Sequence, residues 1–285
     1  ELGYWVFARV LEENNVTVKP LSGFLTNDVP DDCRLLIVAG PRIALHDEEL
    51  GRIEKYLNQG GRLFALFNYS ARHVNTGLER VLANWGVEVG RNTVRDPTQA
   101  QAGREQNVVA NHFGPHPIVG SLRNLRVALA LPRSIQARRG VPSSADAPKV
   151  VELVTTSENG LAIVESRTAG AKVELTGAIS MIAAVEKGAI PGVSAGATRI
   201  VVAGDSFFLE NGAIAQGANR DFLRNAANWL LNRELLLEGI GPRVVKEYRV
   251  TITDAELTRL RWVLLGGLPG SVLFLGWLVW LRRKS

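Results

Sequence analysis

The chain has 285 residues, 46% of them hydrophobic and 21% charged, which is too apolar for a disordered protein and long enough for one large buried core or two ordinary ones. Its single cysteine, Cys33, excludes a disulfide framework and any cysteine-based zinc site. With 33 basic and 28 acidic residues the formal charge is +5, which invites a nucleic-acid reading until the charges are placed along the chain.

Tyr4, Trp5, Phe7, Val10 and Leu11 make a first helix over residues 1–14, and residues 16–21 (VTVKPL) read as a short strand. A turn-rich stretch follows. Residues 34–40 (RLLIVAG) form a continuous apolar run, the mark of a strand buried on both faces, and Pro41 stops it. Asp47 offers an N-cap for a helix with Leu50, Ile53, Tyr56 and Leu57 on one face, closed by Gly60-Gly61. Residues 62–67 (RLFALF) give the next buried strand. Leu78, Val81, Leu82 and Trp85 share a helix face that Gly86 ends, and an extended piece starts at Val87. Alternating strands and helices with short connections predict an open, mostly parallel α/β sheet with right-handed crossovers.

Residues 96–117 are polar, carry Gly and Pro and show no periodicity. Further strands are expected over residues 126–131, 150–154, 161–165 and 179–185, some joined as hairpins. Residues 137–148 have the composition of an exposed, mobile loop. Residues 199–204 (RIVVAG) are a third buried-strand pattern, and Asn219 is placed to cap a last helix running through Leu231. Residues 233–257 are expected to be a linker with a short strand at 248–253. That divides the chain into an α/β domain at 1–232, the linker, and a segment at 258–285.

The final segment decides the compartment. Residues 262–281 are twenty uncharged positions with Trp262 at one end and Trp277 and Trp280 near the other. As a helix they span roughly 30 Å, the thickness of a bilayer's hydrocarbon core, with tryptophan at headgroup level. The tail Arg282-Arg283-Lys284 outweighs Arg259 and Arg261 on the other flank, so the positive-inside rule puts the tail in the cytoplasm of an inner or plasma membrane and the main domain outside. Those five positives account for the whole net charge. The rest of the chain is neutral, and the nucleic-acid reading loses its support. The chain opens on Glu1 with no visible export signal, so a further membrane segment is expected upstream.

In open α/β sheets ligands gather at the carboxyl ends of the strands. Those ends here carry Gly40-Pro41, Asn68-Tyr69-Ser70 and Gly204-Asp205-Ser206, so Asn68, Ser70, Asp205 and Ser206 are the candidate ligand-binding residues. Asp, Asn and Ser also serve local turns where strands end, and turn chemistry is the simpler reading. Ser70 lacks the glycines of a nucleophile elbow, although His73 lies three residues on. Cys33 precedes its strand and follows Asp31 and Asp32, whose charges oppose a thiolate, so it reads as a structural thiol. His112 and His116 have the spacing of a helical metal pair, but Gly114, Pro115 and Pro117 break any helix there. No phosphate loop, metal set or cofactor motif is recognisable, and no cofactor is expected.

The strings IVAGP at 37–41, the acidic helix at 47–58, GGRLFAL at 60–66, LERVLANWGVEVG at 78–90, HPIVGSL at 116–122, VVAGDS at 201–206, GANRD at 217–221 and NWL at 228–230 resemble, in that order, the gliding-motility-type auxiliary components of ABC transport systems. The resemblance implies an extracytoplasmic α/β domain of glutamine-amidotransferase-like or flavodoxin-like type with added strands, similar to a module of intraflagellar-transport proteins. It also implies one C-terminal membrane helix and partnership with an ABC permease and a separate ATPase subunit. Amidotransferases place a cysteine after the strand matching residues 62–67. Asn68-Tyr69-Ser70 stand there instead, so no such chemistry is expected. The expected function is therefore a non-enzymatic membrane-anchored auxiliary subunit that binds a protein partner or an envelope glycan. The alternatives are a sugar- or small-ligand-binding module at the strand ends and a serine hydrolase built on Ser70.

Overall fold

The computed structural model of the chain describes residues 3–21, 27–102, 104–138, 147–166, 170–189, 196–233 and 252–284. Among the described residues the helices of the body are α1 (Trp5–Glu13), α2 (Asp47–Asn58), α3 (Leu78–Asn84), α4 (Pro117–Gly120) and α5 (Asn219–Leu230). The described chain closes with α6 (Asp254–Lys284). The strands in chain order are β1 (Leu36–Ala39), β2 (Arg62–Leu66), β3 (Val87–Val89), β4 (Thr93–Arg95), β5 (Ala100–Gln101), β6 (Arg104–Ala110) and β7 (His112–Phe113). They continue with β8 (Val127–Ala130), β9 (Ile135–Ala137), β10 (Lys149–Thr155), β11 (Leu161–Ser166), β12 (Gly170–Thr176), β13 (Ser180–Ala189) and β14 (Ala197–Ala203).

The central sheet has six strands in the order β1-β2-β14-β13-β10-β7. The expected α/β class holds, with one difference. Only β1, β2 and β14 run parallel, while β13, β10 and β7 add on as antiparallel neighbours, so the sheet is mixed rather than mostly parallel. The physical reason is connection length. A parallel neighbour needs a crossover such as α2 between β1 and β2, whereas β13 and β14 are close in sequence and pair as an antiparallel ribbon. The extended piece at Val87 also leaves the central sheet and pairs with β9 in a separate two-stranded ribbon.

The continuous apolar runs serve two cores at once. Along β2, Phe64 and Leu66 face α1 and α5, while Leu63, Ala65 and Phe67 face α2 and α3. β14 splits in the same way, with Val201 and Ala203 on one side and Ile200 and Val202 on the other. A strand covered on both faces cannot alternate polar and apolar, which is why these two read as unbroken hydrophobic strings.

Several local expectations are corrected. Residues 16–21 join no strand ladder. The residue before α2 is His46, whose backbone N–H donates to the Glu49 carboxylate at 2.8 Å, and Asp47 is the first helical residue. The aperiodic region at 96–117 holds β5, β6 and β7, and β12 was not expected at all. Most of the expected loop at 137–148, and most of the linker and its strand, lie outside the described residues.

The terminal helix begins eight residues before the uncharged run and continues through Lys284, and none of its residues is buried against the body. A π-turn occupies Val263–Gly267, and the Leu268 N–H reaches back to the Val263 carbonyl. Pro269 follows directly. It has no N–H to donate and its ring crowds the carbonyl four residues earlier, so the wider turn relieves that clash without ending the helix.

Candidate functional site at the carboxyl end of the sheet

The three parallel strands β1, β2 and β14 are neighbours, so their carboxyl ends converge as expected. Gly40 continues the β1 ladder by donating to the Leu66 carbonyl at 2.8 Å, and Phe67 donates to Ala203 at 2.9 Å. Beyond these bonds the chain turns away in two short 3₁₀ turns, Tyr69–Ala71 after β2 and Phe207–Leu209 after β14.

Asn68 and Ser70 are turn builders. The Asn68 Oδ1 accepts the Ser70 N–H at 2.9 Å and the Ser70 hydroxyl at 2.5 Å, while Asn68 Nδ2 donates to the Ser206 hydroxyl at 3.1 Å. Asn68, Asp205 and Ser206 are buried and Ser70 is exposed. Over Ser206 lies Tyr4 of the segment entering α1, its hydroxyl donating to the Ser206 carbonyl at 3.4 Å. Burial pushes that phenol up to about 12. Gly40, at φ +64°, admits this closure. A Cβ there would stand 2.6 Å from the Ser206 hydroxyl and 3.3 Å from the Tyr4 hydroxyl.

Asp205 does something different. Its Oδ2 accepts the N–H of Ala130 in β8 at 2.7 Å and of Phe208 at 3.2 Å, and its Oδ1 accepts the N–H of Phe207 at 2.7 Å. Two residues back along β8, Asn219 makes the matching contact. Its Oδ1 takes the Ala128 N–H at 2.9 Å and its Nδ2 returns to the Ala128 carbonyl at 2.9 Å, with further bonds to the carbonyls of Phe208 and Ala213. β8 is the edge of the three-stranded sheet β5-β6-β8, and two side chains replace the strand its outer edge lacks. Asn219 is thus turned inward, not used as the expected helix cap. Burial pushes the Asp205 carboxyl up to about 7, and the three amide donors offset only part of that.

Arg133 is the residue that the sequence did not single out. It is fully buried just after β8, over the Phe67 ring at 4.8 Å, with Nε donating to the Gly90 carbonyl at 2.7 Å and Nη2 reaching the Glu79 carboxylate at 3.2 Å. Its backbone N–H donates to the Gly204 carbonyl at 2.9 Å, and a Cβ on Gly204 would lie 2.0 Å from its carbonyl oxygen. The side chain fills the space above β2 and β14 where an open α/β sheet leaves a crevice. Nothing in a one-residue window announces this, since the neighbours Pro132 and Ser134 read as an ordinary loop.

The other singled-out residues sit apart from this cluster. His73 is exposed beyond the β2 turn. His112 lies on β7, with its Nδ1 accepting from Gln99 at 2.7 Å. His116 caps α4, edge-on to Trp229 at 4.8 Å, and burial pushes its imidazole down to about 4. Cys33 is half buried, and desolvation raises its thiol. Among the described residues no three His, Cys, Asp or Glu side chains converge as a metal set.

The solved structure titled "mmIFT52 N-terminal domain" shares this fold, with a TM-score of 0.57 and 14% identity over 81% of this chain and 91% of that one. A putative ThuA-like protein from Parabacteroides merdae aligns at 15% identity over 87% of this chain and 89% of its own, with a TM-score of 0.41. None of the curated proteins is similar enough to count as a match. Residues 3–237, most of the body, match one protein family throughout, and the chain accordingly belongs to the family described as an ABC-type uncharacterized transport system.

Proposed function

We propose that this protein is a non-enzymatic auxiliary subunit of an ABC-type transport system, held at the membrane by α6 with its body outside the cytoplasm. Family membership supports the accessory, transport-related role, and a helix whose apolar stretch is not buried against the body supports membrane association. The observation that carries the reading is that helix. Beyond its first turn this 31-residue helix makes no buried contact with its own domain, so its apolar surface is available for lipid and for another membrane protein, here a permease with its ATPase. The excess of tail charges supports the orientation. The amidotransferase-like kinship and the gliding-motility type belong to the same proposal and rest on the ordered motifs of the sequence. Of the four strand-end residues only Ser70 meets solvent, so recognition of a sugar, an envelope glycan or another small ligand there, or hydrolysis by Ser70, takes second place to binding of a protein partner.

Affinity purification of the tagged full chain from native membranes in mild detergent tests this. Permease and ATPase subunits are expected to co-elute in fixed ratio. A chain that elutes alone, or that alkaline carbonate strips from the membrane, overturns it.

A further inference from the structure

The foot of α6 is not left on a free tether. Gln101 in β5 forms a β-bridge with Thr253, and the Ala102 N–H donates to the Ile252 carbonyl at 3.1 Å. Arg126 grips Glu256 with both terminal nitrogens, Nη1 to Oε2 at 2.6 Å and Nη2 to Oε1. The same carboxylate closes the helix's capping box by accepting the Thr253 N–H at 2.9 Å, while the Thr253 hydroxyl accepts the Glu256 N–H at 3.3 Å. One side chain therefore both starts the helix and ties it to the body.

This joint fixes how far the body stands from the bilayer. The uncharged run starts at Trp262, six residues beyond Glu256, or roughly 9 Å along the axis. The headgroup zone is about 5 to 8 Å deep on each side of the hydrocarbon core. The body surface around Gln101 and Arg126 thus lies at the outer edge of the headgroups. Arg104 sits there, paired across the β5–β6 hairpin from Gln101, and Arg123 lies three residues before Arg126. Both are exposed, as are Arg259 and Arg261 on the helix itself. Among the described residues none of these four guanidinium groups forms an ion pair, and Glu256 is already taken by Arg126. Anionic phosphates within a Debye length of about 8 Å would be felt by all of them.

We propose that this face of the body is a lipid-contact surface, pressed to the bilayer by the Arg126–Glu256 joint so that Arg104, Arg123, Arg259 and Arg261 engage anionic headgroup phosphates. The proposal rests on α6 spanning the membrane. It is tested with the full chain in nanodiscs of phosphatidylcholine alone or mixed with phosphatidylglycerol. A donor dye at Asn124→Cys in a Cys33→Ser background reports energy transfer to a headgroup-labelled lipid. Transfer should be higher in the anionic discs, fall with added salt, and be lost in the exposed-site double variant Arg104→Glu, Arg123→Glu, whose circular dichroism should match the parent. Equal transfer in both lipid mixtures, or no response to the double variant, overturns the proposal and leaves these cations for an acidic protein surface. Failure of the chain to stay with the discs at all overturns the membrane reading beneath it, a result distinguishable from equal transfer.

Discussion

Two joints in this molecule perform the same task in opposite environments. At the carboxyl end of the central sheet, Asp205 and Asn219 knit the edge of β8 to the end of β14 and to α5 through side chains that are themselves fully buried. At the foot of α6, Arg126 and Glu256 join the helix to the body through a pair whose side chains remain about a third exposed, at 34% and 38%. A fully buried side chain has given up its water, so losing its partner strands polar groups at a desolvation cost. At the surface, water and ions replace a lost partner almost at once. The buried joint therefore sets stability. The exposed joint sets only geometry, holding the foot of α6 in place at little cost or gain in stability.

The largest effect that would break this contrast is at the buried joint. Asp205→Ala leaves three backbone N–H groups facing a void, and Asn219→Ala strands the two polar groups of Ala128. Each should cost on the order of 3 kcal/mol, read as a drop of roughly 6 to 12 °C in the melting temperature of the detergent-solubilised chain. A loss no larger than that from an exposed pair would mean that the cluster is not what holds β8 in place.

A second prediction sharpens the comparison through pH. The folded Asp205 carboxyl, at about 7, lies above its unfolded value, so the native state holds the extra proton and stability falls as pH rises between about 4 and 7. His116, at about 4, lies below its unfolded value, so its share of stability is present at neutral pH and is lost as pH falls from about 6.5 to 4. The two slopes oppose each other. In His116→Asn the melting temperature should fall between pH 4 and 7, and in Asp205→Asn it should rise over pH 4 to 6.5. Identical profiles in the two variants would refute the assignment.

The smallest effect belongs to the exposed joint. Arg126→Ala should change body stability by less than about 1 kcal/mol, and salt should shrink that difference further. Hydrogen exchange at the Ala102 amide should nonetheless speed up as the helix foot comes loose. A large fall in melting temperature with unchanged exchange at Ala102 would reverse the roles given to the two joints.

Much of the fold is legible in the sequence because burial on both faces demands it. The strings around Leu63 and Ile200 are unbroken apolar runs for that reason, the run around Leu36 reads the same way although β1 is an edge strand with Ala39 exposed, and glycines follow α2 and α3, so β1, α2, β2, α3, β14 and α5 were all recognisable. β6 and β12 were not. Arg104–Ala110 mixes Arg, Glu, Gln and Asn without alternation, whereas Gly170–Thr176 does alternate, with Ala171, Val173 and Leu175 between Lys172, Glu174 and Thr176, but lies largely exposed and carries no apolar run. The candidate residues Asn68, Ser70, Asp205 and Ser206 were legible by position, since strand ends are where polar turn residues collect. What each of them touches was not, because Asp205 meets Ala130 seventy-five residues earlier in the chain.

The amino-acid order alone determined the neutral body, the uncharged helix and its basic tail, because net charge, hydropathy and the length of a span are local sums along the chain. Only the tertiary structure decided that the sheet turns antiparallel beyond β14, that Arg133 fills the crevice above β2 and β14, and that Glu256 is spent on Arg126. Those are pairings between distant residues, and their energies depend on which partner burial brings within about 3 Å of each other, a distance no reading along the chain contains.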